Sequence, residues 1–258
     1  MPPTTRLHHT RRGHSGPPVV LLHGLGSSCR DWEFQEVALE DRYQVVSVDL
    51  PGHGSSMSSG PPVTIESMAD HVGALLASLD AEPAHIVGLS LGACVALRLG
   101  LQAPERVRSL TLVNPFARVQ PTGPRDVARL LLRLTMLGVA PMRMVGAHVA
   151  RGLFPWPEQR ALYDAAVASL GATPRRGYAS ALRALAQFDA RGQVAAIRRP
   201  TLVVAGDRDT MVPLGPKLRL AAAIPGARIV VVPASGHATP YDQPATFNRV
   251  LLEFLTQH

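Results

Sequence analysis

Lysine is almost missing from this sequence. Lys217 is the only one in 258 residues, and arginine supplies the rest of the 26 basic side chains. The +7 formal charge is therefore an arginine excess, which GC-rich codon usage also produces. Aromatics are scarce at 5%, so the stacking platforms that single-stranded nucleic acid needs are not available, and no nucleic-acid partner is expected. With two cysteines, Cys29 and Cys94, there is neither a disulfide framework nor a zinc spacing. They read as reduced thiols of a cytoplasmic protein. No run of about 18 uncharged apolar residues occurs, which argues against stable membrane insertion. The first 18 residues lack the apolar stretch of a signal peptide.

What is present is an alternation. Short apolar, β-branched runs at residues 19–22, 44–48, 85–87, 107–113, 201–205 and 228–232 read as strands, several without polar alternation, as in a buried parallel sheet. Helical patterns cover residues 65–79, 91–102, 214–223 and 244–256. This order predicts a doubly wound α/β sheet with its active groups at the carboxyl ends of the strands. Residues 117–199 break the rhythm. They show helical stretches punctuated by prolines and no convincing strand, so they are expected to form an all-helical cap. The core domain would then comprise residues 1–116 and 200–258.

The strongest chemical signal is Gly88-Leu89-Ser90-Leu91-Gly92, between a predicted strand and a predicted helix. Flanking glycines permit the tight turn that pushes a serine hydroxyl into the open, at a helix N-terminus that favours developing negative charge. A serine that only caps the helix would suit the same turn. Other motifs follow other strands: His23-Gly24-Leu25-Gly26, then Asp49 to Ser56, then Gly206-Asp207-Arg208-Asp209, and finally Gly236-His237.

Together these motifs resemble the α/β-hydrolase superfamily, and within it the small cap-bearing esterase and lactonase-like branch. The resemblance spans residues 7–255 apart from the interior of the cap. It implies Ser90 as nucleophile, Asp209 as acid and His237 as base, in the chain order this fold uses. It also implies an oxyanion hole from the backbone N–H groups of Leu25 and Leu91. Asp207 is a rival for the acid, but the family pattern G-x-x-D-x-x-x-P fits Gly206, Asp209 and Pro213. Some relatives carry the acid after the strand 107–113, where this chain has Asn114-Pro115 and no carboxylate. Relatives usually have two antiparallel strands before the one leading to His23. Here only residues 4–9 offer one.

Serine at the nucleophile position implies an acyl-enzyme, unlike the aspartate of haloalkane dehalogenases and epoxide hydrolases. The expected activity is hydrolysis of carboxylic esters with small to medium acyl chains. The alternatives are an enol-lactonase, a carbon–carbon bond hydrolase or a lyase of the same fold, or a receptor-like protein that binds without hydrolysis. No metal and no cofactor is implied, since the glycine-rich loops fit neither a Rossmann nor a P-loop pattern. His23 and His53 read as loop-fixing residues. His8, His9 and His14 fall in a stretch expected to be mobile.

Trp32, Phe116 and Met211 are expected as pocket walls because they sit beside these motifs. Leu130, Leu131, Leu134, Leu137, Met142, Met144 and Val145 make the cap strongly apolar, through its own packing or as an acyl tunnel. Arg125, Arg129 and Arg133 form an i, i+4, i+8 stripe, either a solvated face or a contact for anions. Residues 117–199 carry 13 arginines against four acids, so the charge excess resides in the cap.

Overall fold

Every apolar run predicted as a strand lies in one mixed sheet of the computed structural model, which describes residues 7–56, 62–119 and 123–258, without the side chains of Arg125 and Asp126. The strands are β1 (His9–Arg12), β2 (Pro18–Leu22), β3 (Gln44–Val48), β4 (Ala84–Leu89), β5 (Val107–Val113), β6 (Thr201–Gly206) and β7 (Arg228–Val232). Their order in space is β1-β3-β2-β4-β5-β6-β7, parallel except for β1, which pairs antiparallel with β3. Of residues 4–9, expected to form the first strand, residues 4–6 lie outside the described residues, and Leu7 and His8 lie outside any strand, so the expectation is corrected there. The strand begins at His9 and carries Thr10, Arg11 and Arg12, a polar edge without the apolar signature sought in the sequence.

Ten helices complete the described chain. Before the third parallel strand come α1 (Glu33–Leu39) and α2 (Ile65–Ser78), and α3 (Leu91–Gln102) follows β4. Then come α4 (Pro124–Val139), α5 (Met142–Leu153), α6 (Arg160–Ala172) and α7 (Arg175–Gln187), all between β5 and β6. The chain closes with α8 (Leu214–Ala223), the short α9 (Thr239–Asp242) and α10 (Pro244–Thr256). Period-two geometry sends alternate strand residues to opposite faces. Val20, Leu22, Ile86, Leu110 and Leu112 join a core with α2 and α3, while Val19, Leu21, Val87 and Val113 join another with Phe247, Leu251 and Phe254 of α10.

Topology places the site. The chain leaves β2 toward β3 on one side, then crosses back to β4 on the other, so the strand order reverses between β2 and β4. A crevice opens at such a switch point, beyond the carboxyl ends of the strands. The motifs at Gly24 and Ser90 follow those two strands. The helices α4–α7 have a core of their own, built on Leu137, Val145, Val149, Val167, Leu170 and Tyr178. Leu131 and Met144, by contrast, are more than half exposed.

Candidate active site

Ser90 sits at the turn from β4 into α3 with φ 53° and ψ −104°. That left-handed conformation is strained for a residue with a side chain. The neighbouring glycines make it attainable: a Cβ on Gly88 would lie 2.2 Å from the Gly92 carbonyl oxygen, and one on Gly92 would lie 2.1 Å from that of Leu22. Ser90 N–H donates to the Val113 carbonyl at 3.0 Å, tying the turn to β5. Its hydroxyl makes no helix-capping hydrogen bond, so a capping role does not account for this serine. Leu91 begins the helix, where backbone N–H groups have no intrahelical acceptor.

Asp209 and His237 approach from the loops after β6 and β7. His237 Nδ1 lies 2.7 Å from Asp209 Oδ2, and both side chains are buried or nearly so. Asp209 Oδ1 accepts from the N–H groups of Met211 and Val212 at 2.7 and 3.0 Å. Burial works to raise the Asp209 carboxyl, but His237 and Lys217 outweigh it and hold the group well below the usual carboxylate range. Asp207 is exposed and accepts from Ser235 N–H at 3.3 Å, so geometry separates the two aspartates.

The structure adds two residues that the sequence did not single out for a role. Lys217 is fully buried and donates to Asp209 Oδ2 and Asn114 Oδ1, both at 2.6 Å. Burial pulls its ammonium down, against the pull of Asp209. Asn114 has φ 46° and ties three loops together. Its Oδ1 accepts from Gly206 N–H at 2.9 Å, and its Nδ2 donates to the His237 carbonyl at 2.7 Å and to Thr239 Oγ1 at 2.9 Å. The position that lacks a carboxylate instead anchors the acid and histidine loops to the end of β5. The signal in the sequence was the isolated lysine itself.

His23 and His53 are buried neutral imidazoles, held to about 4 and about 3, chiefly by burial. His23 Nδ1–H donates to the Gly24 carbonyl at 2.7 Å and its Nε2 accepts from Leu50 N–H at 3.0 Å, which fixes the loop bearing Leu25. His8 and His9 depart from the mobile start expected of them. His9 opens β1, and His8 Nδ1 meets Asp49 Oδ2 at 2.9 Å. His8, Cys29 and Asp49 bring ligand-type atoms within 4.8 Å of one another. The Asp49 oxygens, however, already accept from Cys29 N–H at 2.7 Å and Ser55 N–H at 2.8 Å. Burial, with Asp49 beside it, pushes the Cys29 thiol up to about 12. The chemistry of this donor set is that of a loop clasp.

A cavity of about 1590 Å³ receives Ser90, His237 and Leu25, together with Phe116 and Met211. Trp32 does not reach it, which corrects the expectation that it forms a wall. The short helical turn Cys29–Trp32 directs the indole into the core between the sheet and α10, where it is 1% exposed. Leu130, Leu134 and Leu137 of α4 line the cavity, and Leu137 also packs against α5 to α7, so apolar residues of this helix serve both internal packing and the cavity wall. Arg129 and Arg133 also line it, and Arg133 stacks on Tyr178 at 5.1 Å. The arginine stripe thus turns inward at those two positions. The Arg125 side chain lies outside the described residues.

A family model described as alpha/beta hydrolase fold matches residues 17–244. The chain belongs to this family. Curated relatives of this hydrolase include a protein of Azorhizobium caulinodans named "Putative carbamate hydrolase RutD", 34% identical over 249 residues and covering 93% of this chain and 91% of the relative. A protein of the same name from Klebsiella pneumoniae is 35% identical, with the same coverage. Among solved structures, a hydrolase from Pseudomonas aeruginosa aligns at TM-score 0.88 and 32% identity over 96% of this chain and 94% of the other. The enol-lactonase from Burkholderia xenovorans aligns at TM-score 0.90 and 27% identity over 98% and 97%. No helix among the described residues is long and apolar enough to cross a membrane.

Proposed function

We propose that this α/β hydrolase cleaves small to medium carboxylic esters through an acyl-enzyme on Ser90. The observation that carries the reading is the His237–Asp209 contact of 2.7 Å, opening into the cavity that Ser90 also lines. In this mechanism the Ser90 hydroxyl attacks the ester carbonyl while His237 Nε2 takes its proton, assistance typically worth about 10²–10⁴-fold. Asp209 fixes the Nδ1–H tautomer and stabilises the imidazolium. The N–H groups of Leu25 and Leu91 receive the oxyanion, each such donor contributing about 10²–10³ in rate. His237 then protonates the departing alcohol, and a water, deprotonated by the same histidine, releases the acid. Residues 117–199 act as the cap that selects the acyl group.

The named relatives favour one further reading, a carbamate as the substrate, since its carbonyl would meet the same nucleophile and oxyanion donors. Turnover of p-nitrophenyl esters from acetate to palmitate, alongside a p-nitrophenyl carbamate, separates the two. Ester cleavage that peaks at short or medium chains and disappears in Ser90→Ala supports the proposal. No ester turnover in the wild type overturns it.

A further inference from the structure

The cavity wall is mostly apolar, but its charged groups are overwhelmingly of one sign. Eight of the described lining residues are arginines, against the two acids Asp31 and Glu33. Burial pushes the Asp31 carboxyl up to about 7, which removes much of its charge near neutrality. The arginines come from segments far apart in the chain. Arg30 stands before α1, Arg129 and Arg133 on α4, Arg151 on α5, Arg183 on α7 and Arg219 on α8. One helix turning a solvated face outward cannot produce this arrangement.

Arg30, Arg151, Arg183 and Arg219 have no hydrogen bond or ion pair among the described residues. Arg133 donates through Nη2 to a neutral group, the Tyr178 hydroxyl, while its buried Nε has no partner among the described residues. At the meeting of α4 and α5, His148 shares the cavity wall with Arg129, Arg133 and Arg151. Burial and then these three guanidiniums hold its imidazole below the usual histidine range, so this corner lies in positive potential. Arg30, Arg151, Arg183 and Arg219 are exposed at the cavity rim, so an apolar chamber edged by solvated guanidiniums without protein counter-ions favours a ligand that is apolar along its length and anionic at one end.

We infer that the cap corner formed by Arg133, His148 and Arg151 is an anion subsite, and that the preferred substrates are esters whose acyl chain ends in a carboxylate. This rests on the hydrolase reading and deepens it. The guanidiniums bind the remote carboxylate while the apolar wall takes the methylenes, which presents the ester carbonyl at Ser90.

The test compares mono-p-nitrophenyl esters of the dicarboxylic acids from adipate to sebacate with neutral p-nitrophenyl alkanoates of equal length. The expected result is a kcat/KM at least tenfold higher for one of the carboxylated esters at low ionic strength, decreasing as salt rises. Arg151→Gln, an exposed position that should fold normally, is expected to cut that preference severalfold. Arg160→Ala, on the exposed face of α6 and paired with Asp164, should leave it unchanged. If neutral esters are cleaved as well as carboxylated ones, or if Arg151→Gln leaves the ratio intact, the subsite is refuted while the hydrolase reading stands. If neither series is cleaved and a fluorophosphonate does not label Ser90, both are overturned.

Discussion

Replacing Lys217 by methionine removes the one cation that contacts the Asp209 carboxylate besides His237 among the described residues. At 2.6 Å and an effective dielectric constant near 20, the Lys217–Asp209 attraction is about 6 kcal/mol before desolvation. Burying both ions offsets several kcal/mol of that. Removing one partner still leaves the other charge buried, a loss typically of about 3–5 kcal/mol. Met fills most of the space, and His237 with two backbone N–H groups still serves Asp209, so the lower end, about 3 kcal/mol, is expected. For a chain of this size that lowers Tm by roughly 6–12 °C.

The kinetic effect is separate from stability. Lys217 and His237 share the same carboxylate oxygen, Oδ2, and Asp242 is the nearby acid behind the histidine loop. Without the ammonium, Asp209 Oδ2 loses the donor that holds it in place against the imidazole, so kcat/KM should fall severalfold. Differential scanning fluorimetry and steady-state kinetics with p-nitrophenyl butyrate read the two effects. A variant with unchanged Tm and unchanged kcat/KM would refute the electrostatic reasoning. A lowered Tm with an unchanged kcat/KM would reduce Lys217 to a purely structural anchor.

Two other outcomes follow from the same geometry. Asp31 binds its proton more tightly in the folded state, where burial holds it near 7, than in the unfolded chain. Its favourable contribution is therefore complete below about pH 4 and is lost as pH rises through 7. Unfolding free energies from urea titrations should fall between pH 5 and 8 in the wild type, by on the order of 2–3 kcal/mol more than in Asp31→Asn. Parallel curves would contradict this. Gly177→Ala places a Cβ 2.0 Å from the Gly52 carbonyl oxygen, where α7 rests on the loop after β3. The helix must lift, so stability should fall by about 1–3 kcal/mol and KM should rise, as thermal and steady-state measurements would show. Unchanged values for both would mean that the contact is not maintained in solution.

The parts of the fold most legible in the sequence were those buried on both sides. Strands such as β5 and helices such as α3 and α10 carry enough apolar pattern to fix their limits from residues alone. The edge strand β1 was misplaced because charged residues at a sheet edge carry no such pattern. Trp32 was misjudged because proximity to a motif does not say which way a short helical turn points its side chain. Ser90, Asp209 and His237 were legible through glycines and chain order, whereas Asn114 acts through contacts 92–125 residues away and Lys217 through partners eight and 103 residues away. Nothing local distinguishes such an asparagine, and the lysine stood out only by rarity. That arginines scattered over four helices and three loops share one cavity is likewise a product of topology.

Everything proposed for the chemistry of this cavity depends on Ser90 being an activated nucleophile. Intact-protein mass spectrometry after treatment with a fluorophosphonate, followed by peptide mapping, tests it most directly. The expected result is one phosphonyl adduct, located on Ser90, formed in step with the loss of esterase activity and absent from Ser90→Ala and His237→Gln. An unmodified wild type, or an adduct on another residue while Ser90 stays free, would contradict it.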